Sequence, residues 1–325
     1  MHQLADMARW RGRDDHAEGP AGRRWHQIVR PAEDAGGAGV ALLGFASDAG
    51  VARNHGRLGA RDGPSAIRAM LGNMPVRRCT ELFDAGDIQC VPAPDGDGLE
   101  AAQDELSSRL AMLLRRGLFP IALGGGHEIA FGSFEGLARF MQAAPSSPPP
   151  RIGIVNLDAH FDLRQDARAS SGTPFRQIAE ACQARGWDFN YCCLGVSAFA
   201  NTEALFARAR DLGVHWRLDE DMGIAQLDAT RALLSGFLQN VDHVYLTLCL
   251  DVLPAAVAPG VSAPAARGVP LEVVEPLIDQ VAHSGKLRLA DIAELNPALD
   301  IDNHTARVAA RLVARLAELA AASAA

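Results

Sequence analysis

Short apolar runs recur along the chain, separated by stretches whose apolar residues fall at helical spacing. The runs predict strands at 40–45, 120–123, 152–157, 191–196, 244–250 and 287–293. The stretches between them predict amphipathic helices over 99–115, 129–142, 204–210, 226–239 and 271–283. A last helix is expected over 303–322, where Val308, Leu312, Leu316 and Leu319 share one face and Asp302 or Asn303 serves as N-cap. Strands that alternate with helices build βαβ units. The expectation is therefore an α/β fold: one domain over residues 1–325, with a mostly parallel sheet flanked by helices on both faces. The stretch AAPSSPPP (143–150) reads as a stiff surface loop rather than a boundary, because the alternation continues across it. Residues 1–36 precede the first predicted strand and are expected to pack on the domain as an extension.

Composition narrows the function classes. With 325 residues, 48% hydrophobic and 22% charged, the chain has the balance of a soluble globular protein. A net charge of −8 disfavours nucleic acid as a partner. No apolar run reaches the length of a membrane span, and the first thirty residues lack the apolar centre of a secretory signal. The six cysteines form no framework, which points to reduced thiols and a cytoplasmic location. Lys286 is the only lysine. Schiff-base chemistry and the lysine-containing phosphate loop are thus excluded, and any anion site falls to guanidinium groups.

The candidate chemistry gathers where predicted strands end. GGGHE (124–128) follows the second predicted strand, and NLDAHFDLR (156–164) continues the third. Cys249 and Asp251 end the fifth, and AELNPALD (293–300) follows the last. The carboxyl ends of parallel strands are where an open α/β sheet places its ligand crevice. Asp158, His160 and Asp162 sit at i, i+2 and i+4, so an extended backbone would point all three one way. Carboxylates buried side by side call for a compensating cation. The plain alternative is a solvated strand end with a salt bridge to Arg164, and a glycine-rich turn alone marks only a tight turn or a phosphate cradle. Mixed carboxylate and imidazole donors suit a divalent ion such as Mn²⁺, and five or more of them can hold two. CxxC, HExxH, GxSxG and a GxGxxG after the first strand are all missing, which leaves metal-assisted hydrolysis.

The strings GGGHE, DAHFD and CLDVLPAAVAPG, in that order, resemble the arginase/agmatinase/formimidoylglutamase family of metal-dependent ureohydrolases. The resemblance runs from about residue 44 to 315 and implies the arginase-like form of the α/β fold. Several features look like the formimidoylglutamase branch: GGGHE where arginases carry Asp before the His, SSGTPFRQ (170–177), VLPAAVAPGVSAPAARG (252–268), and the early strings WRGRDD, EGPAGRRWHQ and GFASDAGVARNHGRLGA. That branch implies hydrolysis of N-formimidoyl-L-glutamate to L-glutamate and formamide in histidine degradation, by hydroxide attack on the amidine carbon. The implied cofactor is a pair of Mn²⁺ ions held by His127, Asp158, His160, Asp162 and Asp251. Cys249 stands where most relatives have a bridging aspartate. A thiolate is softer than a carboxylate yet can bridge once a dication deprotonates it, and a cysteine in a strand can also simply pack.

Further roles follow from the same resemblance. Asp162 is expected to relay a proton and Glu294 to pair with the cationic amidine. Arg164 and Arg176, with Ser171 and Thr173, are expected to hold the small dicarboxylate substrate, and Arg53 and Asn54 are candidates from the first loop. Phe175 falls near the proton-shuttling His of arginases. A homo-oligomer is left open. Two other readings stand beside this one: a ureohydrolase for a guanidino compound such as agmatine or guanidinobutyrate, and a metal-poor, non-catalytic relative.

Overall fold

The computed structural model describes residues 1–94, 96–143 and 149–323. The loop expected at 143–150 falls largely outside them. Ten strands form one sheet: β1 (His2–Gln3), β2 (Arg30–Pro31), β3 (Gly39–Ala46), β4 (Leu82–Gln89), β5 (Leu118–Leu123), β6 (Ile152–Leu157), β7 (Asn190–Val196), β8 (His215–Leu218), β9 (His243–Cys249) and β10 (Leu287–Ala293). Their order is β1-β4-β3-β5-β10-β9-β6-β7-β8, with β2 beside β4. Every pairing is parallel except that of β1 with β4.

Both faces of the sheet are buried, which is why its central strands read as unbroken apolar runs. Alternate residues go to opposite layers. Leu42, Leu123, Leu157, Leu248 and Ile292 join the helices Gly63–Leu71, Leu227–Gln239, Leu271–His283 and His304–Ser323. Leu43, Phe45, Ala122, Ile154 and Tyr245 join Leu99–Arg115, Ile129–Gln142, Pro174–Arg185 and Glu203–Asp211 on the other side.

Strand β4 escapes an apolar-run reading because LFDAGDIQ carries two aspartates. Both are neutralised by one buried guanidinium. Arg68, 3% exposed, bonds both oxygens of Asp84 at 2.9 Å and Asp87 at 2.7 Å. The Trp10 indole N–H donates to Asp84 at 2.7 Å, so the same cluster pins the chain's first segment to the sheet edge. Trp25 is fully buried in the same region.

Other departures are local. Asn303 directly precedes the last helix, His304–Ser323, and its carbonyl accepts from Arg307 N–H at 2.9 Å, but its φ, like that of Asp302, is positive, and it is the Asp300 carboxylate that accepts from the first-turn N–H groups of Thr305 and Ala306 at 2.9 and 3.0 Å. The segment read as a substrate loop becomes a helix from Pro174, where proline suits the first turn, to a left-handed Gly186. The helices Ala49–Arg53 and Gly63–Leu71 are likewise additional. No helix among the described residues is long and apolar enough to cross a membrane.

Candidate metal centre and substrate cleft

Strands β5, β10, β9 and β6 are neighbours, so the four chemistry-bearing segments meet at one end of the sheet. The turn after β5 threads between two strand ends. Gly124 N–H donates to Ile292 O at 2.7 Å and Gly125 N–H to Phe45 O at 2.9 Å, while Glu294 N–H donates to Gly125 O at 2.8 Å. A Cβ on Gly125 would collide with the carbonyl of Ser47, so glycine is required there. The next residues, His127 and Glu128, point to different jobs. His127 enters the site. Glu128 is fully buried and accepts from Ser47 Oγ at 3.0 Å and Gly50 N–H at 2.9 Å, tying the loop after β3 to this turn. Burial pushes its pKa up to about 7.

The convergence of Asp158, His160 and Asp162 has a different cause from the one expected. Strand β6 stops at Leu157, and the chain then bends. The Asp158 carboxylate accepts its own neighbour's N–H, from His160, at 2.7 Å, and Asp162 has φ 48°. A turn, not strand alternation, gathers the three side chains. On β9 the strand likewise ends at Cys249, and Asp251 follows within the one-turn helix Leu250–Val252.

Donor atoms fall into two interlocking sets. His127, Asp158 and Cys249 bring one ligand atom each within 4.8 Å of one another, and so do Asp158, His160 and Asp251. Asp158 belongs to both. His127 Nδ1 lies 2.9 Å from Asp158 Oδ2 and 2.9 Å from Asp162 Oδ2, so Asp162 adjoins the first set. His160 Nδ1 lies 3.1 Å from Asp251 Oδ2. Surrounding polar groups fix these side chains: Thr247 Oγ1 is 3.0 Å from His127 Nε2, Asn156 Nδ2 donates to Asp158 at 3.1 Å, and Phe175 packs edge-on against the His127 ring at 5.5 Å.

The electrostatics are those of an anionic nest. Burial, then the charge of Asp158, raises the pKa of both Asp162 and Asp251. Burial, then Asp158, Asp251 and Glu294, holds the Cys249 thiol well above its ordinary range. Burial works against the charged forms of His127 and His160, yet their carboxylate neighbours pull both well upward. Glu294 reaches about 8 through burial and the proximity of Glu128 and Asp251. Four acidic side chains and a thiol around two imidazoles are what divalent cations relieve, and the mixed oxygen, nitrogen and sulfur donors fit such ions.

A cleft opens above. His127, His160, Asp162, Cys249, Asp251 and Glu294 line it, together with Asn54, Arg164 and Ser171. Asn54 Nδ2 donates to Ser171 Oγ at 3.2 Å. The Arg164 guanidinium has no carboxylate partner among the described residues. Three expected substrate contacts lie elsewhere. Arg53 is committed to Asp97 and Glu100 and to the Ala169 carbonyl at 2.8 Å. Arg176 pairs with Glu180 at 2.5 Å and donates to Arg164 O at 2.9 Å. Thr173 Oγ1 is fully buried, bonded to Ser170 N–H at 2.9 Å and to Gln177 at 3.0 Å, and shapes the turn before the Pro174–Arg185 helix. Two loops contribute residues that sequence reasoning passed over: His55 and Arg57, then Ser262 and Ala263. The first pair follows directly on Arg53 and Asn54, so the right loop was legible but the reach of its side chains was not.

This fold and donor set define an arginase-type metallohydrolase, and the chain belongs to the arginase family, whose model matches residues 38–318. Among its relatives, formimidoylglutamase of Ralstonia nicotianae is 64% identical over 98% of this chain and 97% of its own. Formimidoylglutamase of Aeromonas hydrophila is 55% identical over 96% of this chain and 97% of its own. A crystal structure of Trypanosoma cruzi formiminoglutamase with Mn²⁺ superposes with a TM-score of 0.76 at 27% identity, covering 87% of this chain and 94% of that one.

Proposed function

We propose that this protein hydrolyses N-formimidoyl-L-glutamate to L-glutamate and formamide, as the names of its relatives suggest, with a pair of Mn²⁺ ions as cofactor. The observation that carries this reading is the pair of ligand sets sharing Asp158 at the foot of a cleft that also holds Glu294 and Arg164, which has no carboxylate partner among the described residues. His127, Asp158, Asp162 and Cys249 would hold one ion, and Asp158, His160, Asp251 and Cys249 the other. Bound there, the ions would supply Lewis acidity and lower the pKa of a water toward roughly 7.

The chain's own residues do the rest. Glu294 receives the cationic amidine; pairing with that charge favours the ionised carboxylate over the neutral form that burial favours. Water adds to the formimidoyl carbon, and the bond from that carbon to the glutamate nitrogen breaks. Asp162, whose pKa burial and Asp158 raise, takes the water's proton and passes it to the departing nitrogen. Arg164 holds one substrate carboxylate through charge-assisted hydrogen bonds.

Turnover of N-formimidoyl-L-glutamate, arginine, agmatine and guanidinobutyrate with Mn²⁺ supplied tests the reading. Formimidoylglutamate should be the best substrate by a wide margin; faster turnover of any guanidino compound overturns it. Arg164→Ala should lower kcat/KM for formimidoylglutamate on the order of 30-fold, the worth of one charge-assisted contact.

Cys249 gives a separate test. It is 1% exposed and part of the first ligand set. Mn²⁺ prefers a harder oxygen donor, so Cys249→Asp should tighten Mn²⁺ binding, read by titration. Unchanged affinity would assign the thiol to packing.

A further inference from the structure

We infer that Arg57 is a second carboxylate receptor of the cleft, so that a dicarboxylate substrate is held by two guanidiniums from two different loops, Arg57 and Arg164. The inference deepens the proposed function and rests on its dicarboxylate substrate.

Four observations carry it. Arg57 lines the cleft. Its guanidinium is anchored rather than loose: Nε donates to Ser262 O at 3.0 Å and Nη2 to Val261 O at 2.8 Å, while the Arg57 backbone N–H donates to Ser262 Oγ at 2.9 Å. Those bonds occupy Nε and one N–H of Nη2. They leave Nη1 and the second Nη2 N–H, the pair that grips a carboxylate end-on. Finally, no carboxylate neutralises it among the described residues, a state it shares with Arg164 in the same cleft, whereas three other arginines of these loops are engaged: Arg53 with Asp97 and Glu100, Arg168 with Asp97, and Arg176 with Glu180.

An exposed arginine usually waves in solvent and needs no explanation. This one has surrendered that freedom to two backbone carbonyls while keeping its full charge unpaired. The contact also requires close approach, since a Cβ on the preceding Gly56 would lie 2.8 Å from Ser262 Oγ. A guanidinium ordered before the ligand arrives loses less entropy on binding it. Arg164 supplies only one fork, and glutamyl substrates carry two carboxylates. Arg57 completes the pair.

The test uses the full-length Mn²⁺-loaded protein and three amidines. They are N-formimidoyl-L-glutamate, N-formimidoyl-4-aminobutyrate, which lacks the α-carboxylate, and N-formimidoyl-L-2-aminobutyrate, which lacks the side-chain carboxylate. Arg57→Ala should lower kcat/KM for the dicarboxylate on the order of 30-fold, chiefly through KM. It should do the same for one monocarboxylate and leave the other within about twofold, because that analogue lacks the group Arg57 holds. Arg164→Ala should show the opposite selectivity. Arg57→Lys keeps the charge without the fork, and should recover only part of the loss while retaining Mn²⁺ content. An equal loss on all three substrates, in both Arg57 variants, would mean a structural role and overturn the assignment, as would no loss at all. Absence of formimidoylglutamate turnover in the unaltered protein would overturn the substrate reading and this inference with it; normal turnover there with an indifferent Arg57→Ala overturns this inference alone.

Discussion

Asp158→Asn is expected to abolish turnover and to empty the metal centre. Asparagine keeps the size of the side chain but removes the negative charge from a carboxylate common to both ligand sets. His127, 2.9 Å away, and His160, whose ring nitrogen lies 3.5 Å away, would both lose their shared carboxylate. Altering residues that merely support a metal ligand costs about 10–100-fold in affinity or activity. Loss of a ligand to two ions at once should exceed that, with kcat reduced by more than about 1,000-fold. Metal analysis and kcat on the purified variant, with the unaltered protein alongside, provide the check. Full Mn²⁺ content with more than a tenth of normal activity would show that Asp158 is not a shared ligand of the two ions.

The largest effect on stability should come from a site far from the chemistry. Arg68→Ala deletes the cation from between Asp84, 2% exposed, and Asp87, which is also buried. Removing one partner from a buried ion cluster strands the others without water, at about 3–5 kcal/mol. The same cluster anchors Trp10, so the first segment should loosen as well. Arg151→Ala is the contrasting case. Its pair with Asp242 has both side chains roughly half exposed, at 49% and 45%, so solvent and salt screen it and its loss should cost far less than that of Arg68. Denaturant unfolding of the two variants separates the cases; equal losses would contradict the burial argument.

The contrast between these two sites explains what the sequence disclosed. Central strands were legible because burial on both faces leaves apolar runs, as in GIVNL on β6 and VYLTLC on β9. Strand β4 was not, because its aspartates look solvated until Arg68 is folded against them from a helix sixteen residues earlier in the chain than Asp84. The candidate donors were legible by residue type and order, but their convergence depends on a bend after Leu157 and a left-handed Asp162 that strand alternation does not foretell. The candidate substrate arginines were the least legible. Arg53, Arg57, Arg164 and Arg176 are chemically identical in a sequence, and only the carboxylates around them separate structural clamps from guanidiniums without a carboxylate partner among the described residues. Asp97 and Glu100, which claim Arg53, lie more than forty residues away along the chain.

The interlocking of two ligand sets through Asp158 is the claim on which the rest depends. A titration of the metal-free protein with Mn²⁺, following the free ion by its magnetic resonance signal, tests it most directly. Binding should saturate at two ions per chain, with activity appearing as the second is taken up. Saturation at a single ion, or full activity with only one bound, would contradict it.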